Sequence, residues 1–140
     1  MKINIFSLGL NKNQQLQILE LEYLKRLTRF AKINQQEFKT EEKFLDFIKQ
    51  EKYYLISLEE TGKKYDSLGF SAWLNKLQIQ GQDVAFIVAD EAGFSDILKK
   101  KFNDRLSLSA LTYPHEIARL LLCEQLYRAF TILHHHPYHK

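Results

Sequence analysis

At 140 residues, 45% hydrophobic and 26% charged, the chain has material for one domain with a real core, and its composition is neither disordered nor fibrous. A formal charge of +3 permits a nucleic-acid partner without demanding one, and the lone cysteine, Cys123, excludes an internal disulfide and cysteine-rich zinc sites. No segment nears the roughly 20 apolar residues of a membrane span, and the start lacks the layout of a signal peptide, so a cytoplasmic protein is expected.

Met1 to Leu8 alternates Ile3 and Ile5 with the polar Asn4 and predicts a strand ending at Gly9. From Gln14 to Phe30, Leu16, Leu19, Tyr23, Leu24, Leu27 and Phe30 recur at helical spacing. A short polar strand follows over Ile33–Phe38. Glu41 to Lys52 carries Phe44, Leu45, Phe47 and Ile48 on one helical face. Tyr53 to Leu58 is a nearly all-apolar strand that runs into a turn-rich stretch, Glu59 to Gly69. Ser71 to Gln80 reads as a helix with Trp73, Leu74 and Leu77 inward. Asp83 to Ala89 is a continuous apolar run, as expected of a strand covered on both faces.

Ser95 caps a helix reaching about Asp104. Leu106 to Ala110 reads as a last strand, and Thr112 and Pro114 open a long helix to about Leu133. Strands alternating with helices imply a single α/β domain over residues 1–140, with a mainly parallel sheet and helices on both faces. The last helix is apolar around nearly its whole circumference, which calls for burial on all sides and favours a homodimer.

The chemistry is narrowed by absences. Five glycines, at 9, 62, 69, 81 and 93, spell neither a phosphate-binding loop nor a dinucleotide fingerprint. Cys123 sits in the run Leu120-Leu121-Leu122-Cys123 and reads as a buried, inert thiol. Four of five histidines crowd the ending His134-His135-His136-Pro137-Tyr138-His139-Lys140. Pro137 denies them helical ligand spacing, and no carboxylates adjoin them, so no metal is expected. A frayed tail and a tail that serves an RNA or an active site both remain open readings. The basic groups Lys25, Arg26, Arg29 and Lys32, and Lys99 to Lys101, read as solvated surface or as phosphate-facing cations.

The segment Leu106-Ser107-Leu108-Ser109-Ala110-Leu111-Thr112-Tyr113-Pro114-His115, followed by Arg119, Glu124-Gln125-Leu126-Tyr127-Arg128-Ala129 and the His136-to-Lys140 ending, resembles the RlmH family. These are the ribosomal large-subunit pseudouridine N3-methyltransferases of the SPOUT superfamily. The resemblance implies a SPOUT-type sheet, a C-terminal trefoil knot and a homodimer. It implies S-adenosylmethionine as methyl donor, no metal, and a target pseudouridine in the helix 69 loop of large-subunit RNA in the assembled ribosome.

By position, Leu58 would touch the cofactor, Ala89, Asp90 and Gly93 would form the loop beneath it, and Leu108, Ser109, Ala110, Leu111, Thr112 and Tyr113 would wrap its adenine and ribose. Arg128, Tyr138 and His139 match the RNA-facing set, across the dimer interface. Arg128 would stabilise developing negative charge, Tyr138 would stack, and His139 is a candidate base, since histidine ordinarily titrates near ~6.5. The chain departs from the family where a glycine-rich loop is usual: it reads Ala89-Asp90-Glu91-Ala92-Gly93. Asp90 there either pairs with the cofactor's positive groups or obstructs it. Two rivals are a non-catalytic ribosome- or RNA-binding relative and a SPOUT methyltransferase acting on another RNA.

Overall fold

The computed structural model describes residues 1–140. Five strands, β1 (Lys2–Leu8), β2 (Lys32–Phe38), β3 (Tyr54–Lys64), β4 (Val84–Val88) and β5 (Asp104–Ser107), form one parallel sheet in the order β2-β1-β4-β3-β5. Helices α1 (Gln14–Leu27), α3 (Ser67–Ile79) and α5 (His115–Leu133) cover one face. The opposite face meets α2 (Glu41–Ile48) and the single turn α4 (Asp96–Lys99). The expected α/β class is the class observed.

Helix starts follow local chemistry. Asn13, Thr40, Asp66 and Ser95 each cap a helix by accepting a backbone N–H with the side chain. β4 is buried at all five positions, because it lies between β1 and β3 and under both helical layers. On the first face Ile3, Ile5, Ile56, Val84 and Phe86 meet Leu24, Leu27, Leu74, Leu126 and Phe130. On the other, Phe6 packs edge-on against Phe38 and Phe47, with ring centroids 5.9 and 5.3 Å apart.

Six of the seven β1 residues are buried, the polar Asn4 among them. Asn4 is accommodated because its side-chain amide donates to the Asp83 carboxylate (2.9 Å) and the Val84 carbonyl (3.0 Å), and its oxygen accepts from Asn34 (3.1 Å). The stretch expected to be turn-rich instead extends β3 to Lys64, and α3, capped by Asp66, starts at Ser67 rather than Ser71. α4 stops at Lys99, and β5 begins at Asp104 rather than Leu106. Trp73 is only half-buried and stacks on Tyr65, 5.2 Å away, while Leu74 and Leu77 are buried as expected.

The long β3 passes β5 with a register break between Leu58 and Lys63, so Leu106 faces both. Such a close pass needs a glycine. A Cβ on Gly62 would lie 2.8 Å from the backbone carbonyl carbons of Arg105 and Leu106, closer than carbon tolerates. Replacing Gly62 with alanine should therefore cost about 1–3 kcal/mol of stability, read as a lower urea midpoint at unchanged slope. A neutral result would mean that β3 and β5 do not approach as described.

Candidate active site

Crevices in parallel sheets open beyond the carboxyl ends of the strands. Here Leu58 to Thr61 of β3, Val88 and the 89–93 loop after β4, the 108–114 loop after β5, and the first turn of α5 enclose a cavity of about 650 Å³. Of the expected cofactor residues, Leu58, Ala89, Asp90, Gly93, Leu108, Ser109, Leu111, Thr112 and Tyr113 all line it. Ala110 does not; it is exposed to solvent. Sequence reading missed Glu59, Glu60, Thr61, Lys99, His115 and Ala118 as wall residues. The first three were hidden by reading β3 as ending at Leu58, whereas Pro114-His115 at a helix start was a usable signal for the last two.

Both loops are pinned by their own side chains. Asp90 Oδ1 accepts the Ala92 N–H (2.9 Å), the Gly93 N–H donates to the Asp90 carbonyl (3.1 Å), and Gly93 takes φ +74°. The Ser107 hydroxyl donates to the Ser109 carbonyl (2.8 Å), and Ser109 Oγ accepts the Leu111 N–H (3.1 Å). Asp90 also packs over Gly9, where a Cβ would come within 3.2 Å of the Asp90 Cβ.

A buried ion network sets the angle of α5. Arg119 is 4% exposed and donates from Nε to Glu20 Oε1 (2.7 Å) and from Nη1 to Glu37 Oε2 (2.9 Å). Gln35 also donates to Glu20, and the Asn11 N–H donates to Glu37 (2.7 Å). Burial opposes the charge on Arg119, but Glu20 and Glu37 outweigh it and raise the guanidinium pKa. Burial likewise opposes the Glu37 charge, yet Arg119 and the Asn11 N–H hold its carboxyl below the ordinary glutamate range. Cys123 is fully buried, and that burial pushes its thiol well above the ordinary cysteine range, so it is inert.

Arg128, Tyr138 and His139 gather into one cluster, but not at the cavity. Arg128 donates from Nε (3.0 Å) and Nη2 (2.7 Å) to Glu124 Oε1, and from Nη1 to His139 Nδ1 (2.9 Å). The Tyr138 hydroxyl donates to Glu124 Oε1 (3.0 Å), and its ring lies 5.0 Å beneath the guanidinium. Burial, then hydrogen bonds with Tyr23 and Glu124, raise the Tyr138 phenol well beyond the ordinary tyrosine value, so it stays a neutral donor. Because arginine only donates, His139 Nδ1 is an acceptor here and carries no proton. Of the other tail histidines, His134, His135 and His136 are exposed, with His134 against the Phe30 ring (4.9 Å).

Cavity and cluster lie toward opposite ends of α5. Ala118 lines the cavity, and Arg128 lies ten residues further on, about 15 Å along the axis at ~1.5 Å per residue. The same helix is buried largely within its own chain, between α1, α3 and the sheet. Its apolar surplus is correspondingly smaller than the sequence implies: Ile117 is exposed, and Leu120, Leu121, Ile132 and Leu133 are half-buried.

With this geometry the known relatives can be compared. A SpoU methyltransferase from Streptomyces viridochromogenes, solved with AdoMet, superimposes with a TM-score of 0.54 at 12% identity, over 96% of this chain and 61% of that one. An AdoMet-bound rRNA methyltransferase from Sinorhizobium meliloti gives 0.53 at 11%, over 94% and 56%. This chain thus spans about three fifths of those two structures, and they define the fold class: α/β, SPOUT type. Residues 1–139 match the family described as "Predicted SPOUT methyltransferase". Proteins named ribosomal RNA large subunit methyltransferase H are 36% identical in Ruminiclostridium cellulolyticum, over 100% of both chains, and 35% in Flavobacterium johnsoniae, over 99% of both. The chain belongs to this RlmH family of SPOUT methyltransferases.

Glu37 gives a test of the ion network. A carboxyl whose pKa is lowered on folding stabilises fully above its unfolded value and loses that contribution as pH falls through the folded one. Stability should therefore decline below pH 4.5, and Glu37→Gln should flatten that acid limb in urea titrations. Arg119→Met, which strands the buried Glu20 carboxylate and unpairs the half-buried Glu37, should cost about 3–5 kcal/mol at neutral pH. Identical acid limbs in wild type and Glu37→Gln would contradict the network.

Proposed function

We propose that the chain methylates ribosomal RNA of the large subunit, using S-adenosylmethionine, at N3 of a pseudouridine in the helix 69 loop of the assembled ribosome. The observation that carries this reading is the cavity at the carboxyl ends of β3 and β4, walled by the 89–93 and 108–113 loops, in a chain that aligns end to end with proteins named for that methyltransferase activity. The lining suits the donor. Leu58, Val88, Leu108 and Leu111 offer apolar surface to a flat base, and backbone groups of the pinned loops offer fixed donors and acceptors for its edge. Carboxylates and Lys99 on the same walls match the charges of an amino-acid tail. Asp90 lines the cavity without closing it, which favours an enzyme over a non-catalytic relative. Relatives named for the large subunit favour ribosomal over transfer RNA.

We further propose a cytoplasmic homodimer in which the tail of one chain reaches the cavity of the other, and a C-terminal trefoil knot as in the family. No helix is long and apolar enough to cross a membrane. Arg128, Tyr138 and His139 are too far along α5 to serve their own cavity, whereas a second, oppositely directed α5 would present them to it. Ile117, Leu120 and Leu121 supply apolar surface for that contact.

Bound S-adenosylmethionine supplies a methyl group already activated by its sulfonium, so the chain's task is positioning. Tyr138 stacks on the target base and holds N3 in line with the methyl carbon. Glu124 accepts from Nε and Nη2 of Arg128 and so holds the guanidinium near the position from which it faces the base's carbonyl oxygens as negative charge develops there. As Arg128 turns to those oxygens it uncovers His139 Nδ1, which takes the N3 proton. The freed N3 lone pair then takes the methyl carbon as its bond to the sulfonium breaks, the bonding pair staying on sulfur as the neutral thioether.

On this reading Arg128→Ala and His139→Ala each lower turnover by about 10²-fold or more and leave cofactor affinity within about threefold in calorimetry. Equal losses of turnover and cofactor affinity would reject these roles. Mass spectrometry of ribosomal RNA from a deletion strain should lack one methylated pseudouridine; an unchanged methylation pattern would reject the substrate.

A further inference from the structure

Three carboxylates of the cavity wall, Glu60, Asp90 and Glu91, have no counter-ion in the fold, and of these only Asp90 is half-buried. Glu59, on the same wall, is engaged: it accepts the Ser57 hydroxyl (2.6 Å) and pairs with Arg105 (3.4 Å). Asp90 has no ion-pair partner, and its one side-chain hydrogen bond is the Ala92 N–H on Oδ1. It is half-buried, it is held against Gly9, and Glu91 and Glu60 add two more carboxylates to the same cavity. Lys99 and His115 are the wall side chains that can carry positive charge.

We propose that Asp90 makes this cavity discriminate by charge, binding the sulfonium donor more tightly than its neutral thioether product, S-adenosylhomocysteine. The inference rests on the cofactor reading of the cavity given above. The two ligands differ by one methyl group and one positive charge, so shape alone separates them weakly. An uncompensated carboxylate in the same cavity as the sulfonium adds an attraction that the neutral thioether does not feel, and a half-buried wall weakens its screening by water. Two carboxylate neighbours of the same sign strengthen the preference for a cation. After methyl transfer the positive charge is gone, the attraction with it, and the thioether is released. Asp90 is thus a specificity residue that acts on donor loading and product exit, without touching the proton.

Calorimetry of the full chain with each ligand tests this directly. Wild type should bind the sulfonium form at least about tenfold tighter than the thioether at low ionic strength, and the ratio should shrink as salt rises. Asp90→Asn keeps the Oδ1 acceptor for Ala92 and removes the charge. It should bring the ratio below about threefold, mostly by weakening the sulfonium form, with thioether affinity changed by less than about twofold. A wild-type ratio near one overturns the proposal without any variant, so it is exposed even where Asp90→Asn fails to fold. Equal weakening of both ligands in Asp90→Asn also overturns it, and points to a loop-folding role. Binding of neither ligand to wild type rejects the cofactor reading itself.

Discussion

The Arg119 guanidinium, buried between Glu20 and Glu37, fixes the start of α5, and the functional parts of the molecule are all referred to that helix. Its first turn closes the cavity with His115 and Ala118, and its later turns carry Glu124 and Arg128. A largely buried triad of this kind contributes little net stability relative to an apolar replacement, but removing the arginine leaves the buried Glu20 charge without a cation. Its value here is geometric. The carboxylates come from α1 and β2, so one arginine ties the sheet edge, the first helix and the last helix together.

From that constraint follows the separation of cavity and tail. A helix running antiparallel to the strands starts where their carboxyl ends open and finishes at the other side of the sheet. The cavity and the Arg128, Tyr138 and His139 cluster therefore stand apart in a single chain, and the proposed dimer is the means of joining them. The tail cluster is already organised before any partner arrives, since Glu124 accepts from both Arg128 and Tyr138 and the aromatic ring lies beneath the cation. Preorganised donors of this kind need little rearrangement when charge develops.

Much of this was legible in the amino-acid sequence, for identifiable reasons. β4 was evident because a buried parallel strand is apolar at every position, and the ten elements were all found in order. Nine of the ten cofactor candidates line one cavity because the resemblance carried loop positions that periodicity cannot supply; Ala110 shows the limit, since it lies in the same loop but is exposed to solvent. The β3 extension was hidden because Glu59, Glu60 and Gly62 look like turn residues, and only the close pass of β5 explains them. Glu20 was hidden more deeply. It occupies a helix of ordinary polar composition, and its burial depends on Arg119, 99 residues away.

The central claim is that one chain's pocket works with the other chain's tail. The direct measurement is activity of a mixed dimer, formed by co-expressing a chain with the cavity filled by Ala89→Trp and a chain lacking the tail cation through Arg128→Ala. Each variant alone should be inactive. The mixed dimer, holding one intact pairing, should recover a substantial part of wild-type ribosomal RNA methylation. Activity no greater than the sum of the two single variants would contradict the account.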